Sequence, residues 1–164
     1  MEALKGSILS RSSHGGEGFK AQRRELIESW LKEYNIKNYT INDDFTIDVD
    51  GNVNLIRKNL TEFPDYIQFD IVNDSFDCSE NKLTSLRGCP KEVGGDFICS
   101  RNNLTSLEGA PKEVGGFDCS FNKLTSLRGV PKEVGGDFYC SNNKVQFTEE
   151  DVRKVCNVKG KIFV

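Results

Sequence analysis

The groups in this sequence that could do chemistry are six cysteines, one histidine and several closely spaced carboxylates. Four of the cysteines, Cys78, Cys99, Cys119 and Cys140, recur at intervals of 21, 20 and 21 residues. Zinc sites draw their thiolates in close pairs a few residues apart, and this spacing does not supply them. Disulfide or redox chemistry is the other option that six cysteines raise. A free cysteine at a repeated inward position instead behaves as a small apolar side chain, and the periodicity favours that reading. Cys89 and Cys156 lie outside the repeated position, so the sequence leaves their state open.

The remaining candidates are weaker. His14 sits in the Ser/Gly-rich run SRSSHGGEG and reads as a solvated residue rather than a ligand or base. Asp48, Asp50 and Gly51 resemble a calcium loop, but that alignment puts Thr46 at the first ligand position and Arg57 at the twelfth, where carboxylates are required. Asp77 and Asp118 could share acid–base work, yet two turns of a repeat would hold them about 9 to 10 Å apart and open to water. With no Ser-His-Asp set, no Cys-His pair outside a core, no phosphate loop and no metal cluster, the sequence points away from an enzyme and calls for no cofactor.

The cysteines belong to a longer repeated sentence, and internal repeats decide architecture before anything else. It reads FDCSENKLTSLRGCPKEVGGD from Phe76, FICSRNNLTSLEGAPKEVGG from Phe97, FDCSFNKLTSLRGVPKEVGGD from Phe117, and a truncated FYCSNNKV from Phe138. A period near twenty is too short for paired helices. Phe and Cys are two apart and share one side of a strand. Leu83, Leu104 and Leu124, with Val145 in the last copy, and then Leu86, Leu107 and Leu127 follow as further inward positions. Between cysteine and leucine stands Asn81, Asn102, Asn122 or Asn143, whose amide is expected to satisfy backbone groups left unpaired by a bend. A single coil cannot bury its own apolar side, whereas stacked coils share a continuous core.

The run Pro111-x-x-Val114-x-x-Phe117-x-Cys119-x-x-Asn122-x-Leu124-Thr125-Ser126-Leu127 resembles the short bacterial type of leucine-rich repeat, over roughly residues 53 to 147. The chain is also similar to small leucine-rich repeat proteins of tailed bacteriophages. The resemblance implies an α/β repeat, a short-period leucine-rich repeat solenoid of parallel strands with mostly irregular return segments, forming a horseshoe or flatter stack that binds something. It names no activity. Two copies carry an extra Asp before the Phe, Asp96 and Asp137, expected to bulge or lengthen a turn.

The flanks read as caps for the open ends of the stack. Residues 1 to 20 form a flexible arm. Residues 21 to 52 carry Leu26, Ile27, Trp30, Leu31 and Tyr34 at helical spacing, then Phe45, Ile47 and Val49 alternating into Asp50-Gly51 and on to Val53 and Leu55, a hairpin signal. Val53, Leu55, Leu60 and Phe63 also make a degenerate first coil, with Lys58 in place of the Asn. The solenoid spans 53 to 147, with residues 64 to 75 as a longer connection that is either a seam or a functional loop. Residues 148 to 164 close it, through a helix capped at Thr148 and followed by acids in its first turn, and a final strand after Gly160.

Charge is nearly balanced, 22 basic against 25 acidic residues, which argues against a nucleic-acid partner. No apolar run reaches membrane length and no secretory leader is apparent, so a cytoplasmic location is expected, in the host bacterium if the phage resemblance holds. Function is sought where the copies differ. The residue between Phe and Cys reads Asp77, Ile98, Asp118, Tyr139, and two after the cysteine stands Glu80, Arg101, Phe121, Asn142. Both sets are placed on the strand face away from the core, which in leucine-rich repeats is the concave binding sheet. An apolar centre with a charged rim suits an interface. The expected function is therefore protein binding that occludes a partner, a bacterial host protein of defence or metabolism. A small-molecule sponge, with a pocket where residues 64 to 75 meet the sheet, is the alternative, and a virion component the third. The repeated Lys-Glu pairs at 91–92, 112–113 and 132–133 read as a solvated edge.

Overall fold

The computed structural model describes residues 16–164. His14 and most of the proposed arm lie outside them. Helix α1 runs Gly16–Glu33, so residues 16 to 20, assigned to the arm, are its opening turns. Ile27, Trp30 and Leu31 are buried and join the main core. The helix ends in a left-handed Asn35 (φ 55°), with Ile36 N–H donating to Leu31 O at 2.8 Å and Asn35 N–H to Lys32 O at 3.0 Å, a Schellman ending that satisfies the last carbonyls.

Next come β1 (Tyr39–Ile41), β2 (Ile47–Val49), β3 (Val53–Asn54), β4 (Phe69–Val72), β5 (Phe76–Asp77), β6 (Glu92–Val93), β7 (Phe97–Ile98), β8 (Glu113–Val114), β9 (Phe117–Asp118), β10 (Glu133–Val134) and β11 (Phe138–Tyr139). Helix α2 (Glu149–Val155), β12 (Asn157–Val158) and β13 (Ile162–Phe163) complete the chain. Among the described residues the result is a β-solenoid of about six turns with two helices. Its main sheet is parallel, in the order β13-β11-β9-β7-β5-β3. Among the described residues no helix is long and apolar enough to cross a membrane.

Inside the main sheet the phenylalanines stack coil on coil. Phe76 and Phe97 lie 5.6 Å apart at 7°, Phe97 and Phe117 5.9 Å at 10°, and Phe117 and Phe138 5.3 Å at 35°. Each fully buried ring contributes about 1.5–3 kcal/mol by leaving water, so this column is a principal source of stability. Trp30 meets it through Phe63 at 6.0 Å and Phe69 at 6.3 Å. All six cysteines are free and buried. Cys89 occupies the place that Ala110 and Val130 take in the next coils, a small apolar position.

The return segments are more regular than expected. In Lys-Glu-Val the valines 93, 114 and 134 are buried while lysine and glutamate are exposed, the period-two alternation of a strand. These short strands form two further sheets, β1-β2-β4-β6 and β12-β10-β8. Residues 64 to 75 contribute β4, with Ile67, Phe69 and Val72 buried, and so supply the first coil's return strand.

The hairpin lies one strand earlier than the Asp50-Gly51 signal indicated. β1 and β2 pair antiparallel, Tyr39 opposite Val49. Their turn is held by Asp44, whose carboxylate accepts from Thr46 N–H at 3.0 Å and Thr46 O–H at 2.6 Å, and Phe45 is left-handed there (φ 68°) rather than part of an alternating strand. Asp50-Gly51 instead turns the chain from one sheet to the other, and Val53 pairs in parallel with Phe76 and is buried there.

At the other end Thr148 makes a full capping box with Asp151. Beyond it, Val158-Lys159-Gly160-Lys161-Ile162-Phe163 repeats the pattern of Val134-Gly135-Gly136-Asp137-Phe138-Tyr139. β12 pairs with β10 and β13 with β11, both in parallel. The final strand was expected; its place as part of one more coil was not.

Candidate docking face

The asparagine ladder sets the geometry of the face. Asn102 Nδ2 donates to Cys78 O at 3.0 Å on the preceding coil and to Cys99 O at 3.1 Å on its own, while its Oδ1 accepts from Leu83 N–H at 2.9 Å. Asn122 and Asn143 repeat the arrangement, and Asn81 does so against the first coil, where Lys58 N–H donates to its Oδ1. The residue before each ladder Asn, and before Lys58 in the first coil, adopts a left-handed conformation. Arg57, Glu80, Arg101, Phe121 and Asn142 have φ of 55°, 55°, 55°, 55° and 57°. Such angles are uncommon outside glycine, and their recurrence with the ladder marks a requirement of the fold.

This corrects the placement of half the candidate residues. Asp77, Ile98, Asp118 and Tyr139 sit on β5, β7, β9 and β11 with side chains outward. Glu80, Arg101, Phe121 and Asn142 are not on the strand; they stand on the left-handed bend just past it and form a second column. Strand alternation alone could not locate them, because the bend breaks the period of two.

Two of the carboxylates have local duties. Asp77 Oδ1 accepts from Ser79 N–H and Asp118 Oδ1 from Ser120 N–H, both at 2.9 Å. Toward the first coil the bend column is polar: Arg57 Nε meets Glu80 Oε2 at 2.6 Å, which holds the Glu80 carboxyl below its ordinary value and raises Arg57. Further along the column the Arg101 guanidinium lies 4.1 Å from the Phe121 ring centroid, and the last bend residue, Asn142, is polar again. Tyr139 stacks on Phe163 at 4.6 Å and 5°. Phe121, Tyr139 and Phe163 are 43%, 38% and 41% exposed. Phe163 was missed in the sequence, although the match of Ile162-Phe163 to Phe138-Tyr139 could have revealed it.

The cysteines have little chemistry available. Burial pushes the Cys89, Cys99 and Cys119 thiols well up, and Cys140 and Cys156 up to about 11, so these five are protonated at neutral pH.

A second feature lies on the return side. The coil from Phe97 to Gly116 ends without the Asp that closes its neighbours, Asp96 and Asp137, so Gly116 leads directly into Phe117. Asp96 Oδ1 accepts from Gly116 N–H at 2.6 Å, and Gly115 N–H reaches Gly95 O at 2.7 Å. Gly135 N–H, the counterpart of Gly115 N–H one coil on, instead donates to the valine carbonyl, Val114 O, at 3.0 Å. No backbone hydrogen bond joins 91–93 to 112–114 among the described residues, and the return side divides there into two sheets. A cleft of about 740 Å³ opens there, lined by Ile71, Asn73, Lys91, Val93, Ala110 and Lys112 among others.

Compared with known protein families, with curated proteins and with solved structures, the chain matches none of them.

Proposed function

We propose that the protein is a binding solenoid of the leucine-rich type, closed by α1 and the β1–β2 hairpin at one end and by α2 at the other, whose main-sheet face docks on another protein and occludes it. The observation that carries this reading is the gathering of Phe121, Tyr139 and Phe163, exposed aromatic rings, on consecutive coils of one face. Exposed aromatics beside charged residues are the composition of an interface centre and rim. The resemblance to short leucine-rich repeats of phage proteins supports a bacterial host protein as the partner.

The test is capture of partners from bacterial lysate by the tagged chain, beside the variant Phe121→Asp/Tyr139→Asp, with circular dichroism as a control for folding. A protein retained by the parent and lost from the folded variant, and bound directly when both are purified, supports the reading. Equal retention by both removes it.

The return-side cleft favours a second reading, small-molecule binding. It includes Ile71 and Asn73, where the 64–75 segment meets the sheet, and its size is in the range of ligand pockets. Mass spectrometry of molecules released when the purified protein is denatured tests it; an empty release opposes it.

A further inference from the structure

The main sheet carries a slot at the centre of the face. Ile98, Asp118 and Tyr139 follow one another in register on β7, β9 and β11. Asp118 is the shortest of the three side chains. The longer side chains of Ile98 and Tyr139 flank it, on strands two spacings apart, about 9.5 Å.

The Tyr139 ring is stacked almost parallel on Phe163, which lies on β13. β13 and β9 flank β11 on opposite sides, so the second face of the tyrosine ring turns toward the slot. At the bottom is the Asp118 carboxylate. Its one hydrogen bond is that from Ser120 N–H to Oδ1, and among the described residues no cation pairs with it.

A carboxylate floor beneath an aromatic wall is complementary to a flat cation. A guanidinium stacks on an aromatic face and donates sideways to a carboxylate, whereas an ammonium is compact, strongly hydrated and does not stack. The same surface already holds one such group, Arg101 over Phe121. We propose that the slot receives an arginine side chain of the protein partner, its guanidinium lying on the free face of Tyr139 and donating to Asp118 Oδ2. The proposal rests on the reading of this face as a docking surface and adds the chemistry of one contact.

Titration of the isotope-labelled full chain with N-acetylarginine amide and N-acetyllysine amide, followed by NMR, tests it on the parent, Asp118→Asn and Tyr139→Leu. Asparagine retains the oxygen that accepts from Ser120 N–H, so the bend is preserved. The arginine amide is expected to shift the signals of Ile98, Asp118 and Tyr139, with the lysine amide about two- to fivefold weaker and the response lost in both variants. Equal responses to both amides, or an undiminished response in Asp118→Asn, overturns the slot. If the Phe121→Asp/Tyr139→Asp variant loses its partner while arginine produces no response, the face stands as a docking surface and the slot falls.

Discussion

The side-chain amide of Asn102 donates to the carbonyl of Cys78, 24 positions earlier, at 3.0 Å, and both residues are buried. Through this one amide, two coils and the Leu83 N–H of the bend between them are held together. Asn102→Ala leaves these groups unpaired away from water and is expected to cost about 1–3 kcal/mol. Chemical denaturation monitored by circular dichroism measures it, and an unchanged midpoint would mean the ladder contributes nothing.

The buried thiols make the fold sensitive to alkali. A thiol raised to about 11 in the folded state, as for Cys140 and Cys156, stays protonated when the unfolded chain begins to ionise near pH 8.5. Above that pH the unfolded state binds fewer protons than the folded one, so stability falls until the folded thiol itself titrates. Each such thiol contributes a slope of up to about 1.4 kcal/mol per pH unit. Melting temperature should be level from pH 7 to 8 and drop steeply by pH 10, less so in Cys140→Ala.

Gly129 is left-handed (φ 86°), and a Cβ there would run into the Leu107 carbonyl group and Glu108 nitrogen on the neighbouring coil. Backbone cannot yield as a flexible side chain can. Gly129→Ala is expected to cost about 2–3 kcal/mol or more from strain and crowding, read as a lower thermal midpoint. A midpoint within a degree of the parent would show that the coil relaxes at little cost.

The coil from Phe97 is one residue shorter than its neighbours and the return sheet divides beside it; if its length is the cause, restoring the residue mends the sheet. Inserting Asp between Gly116 and Phe117 gives the short coil the length of its neighbours. Hydrogen exchange at the Glu113 amide, whose strand β8 pairs with β10 but not with β6 in the parent, should then slow by at least about tenfold as β8 joins β6. An unchanged rate would place the cause of the break elsewhere.

Phe121→Asp/Tyr139→Asp should retain the fold, because both side chains are exposed and the core phenylalanines lie on the opposite side of the strands. Partner capture should fall by more than about tenfold, the loss of one or two interface anchors. If the variant unfolds, Phe121 or Tyr139 carries structural weight that its exposure conceals.

Much of the architecture was legible because a solenoid writes long-range structure as local period. Phe76, Phe97, Phe117 and Phe138 share a column because equal spacing forces equal places in successive coils, and the Asn positions follow the same rule. The first coil was readable from Val53, Leu55, Leu60 and Phe63 despite Lys58, since four apolar positions outvote one exchange. The candidate face was partly legible: the strand residues were placed correctly, while the bend residues were not, because a left-handed turn leaves no mark in hydrophobic alternation.

The sequence by itself determined the stacking, the burial of the four repeated cysteines and which residues vary across the face, all consequences of spacing along one chain. Tertiary structure alone decided three further matters. Val53 joins β5 rather than folding back at Asp50-Gly51, because burial in the shared core outweighs a local turn preference. Ile162 and Phe163 complete a coil after a helix has interrupted the repeat. The return side divides between β6 and β8 and opens a cleft, although Glu92 and Glu113 are 21 residues apart, the same spacing as the paired Ile71 and Glu92; spacing along the chain does not decide it, because a ladder also needs the two strands to meet in space.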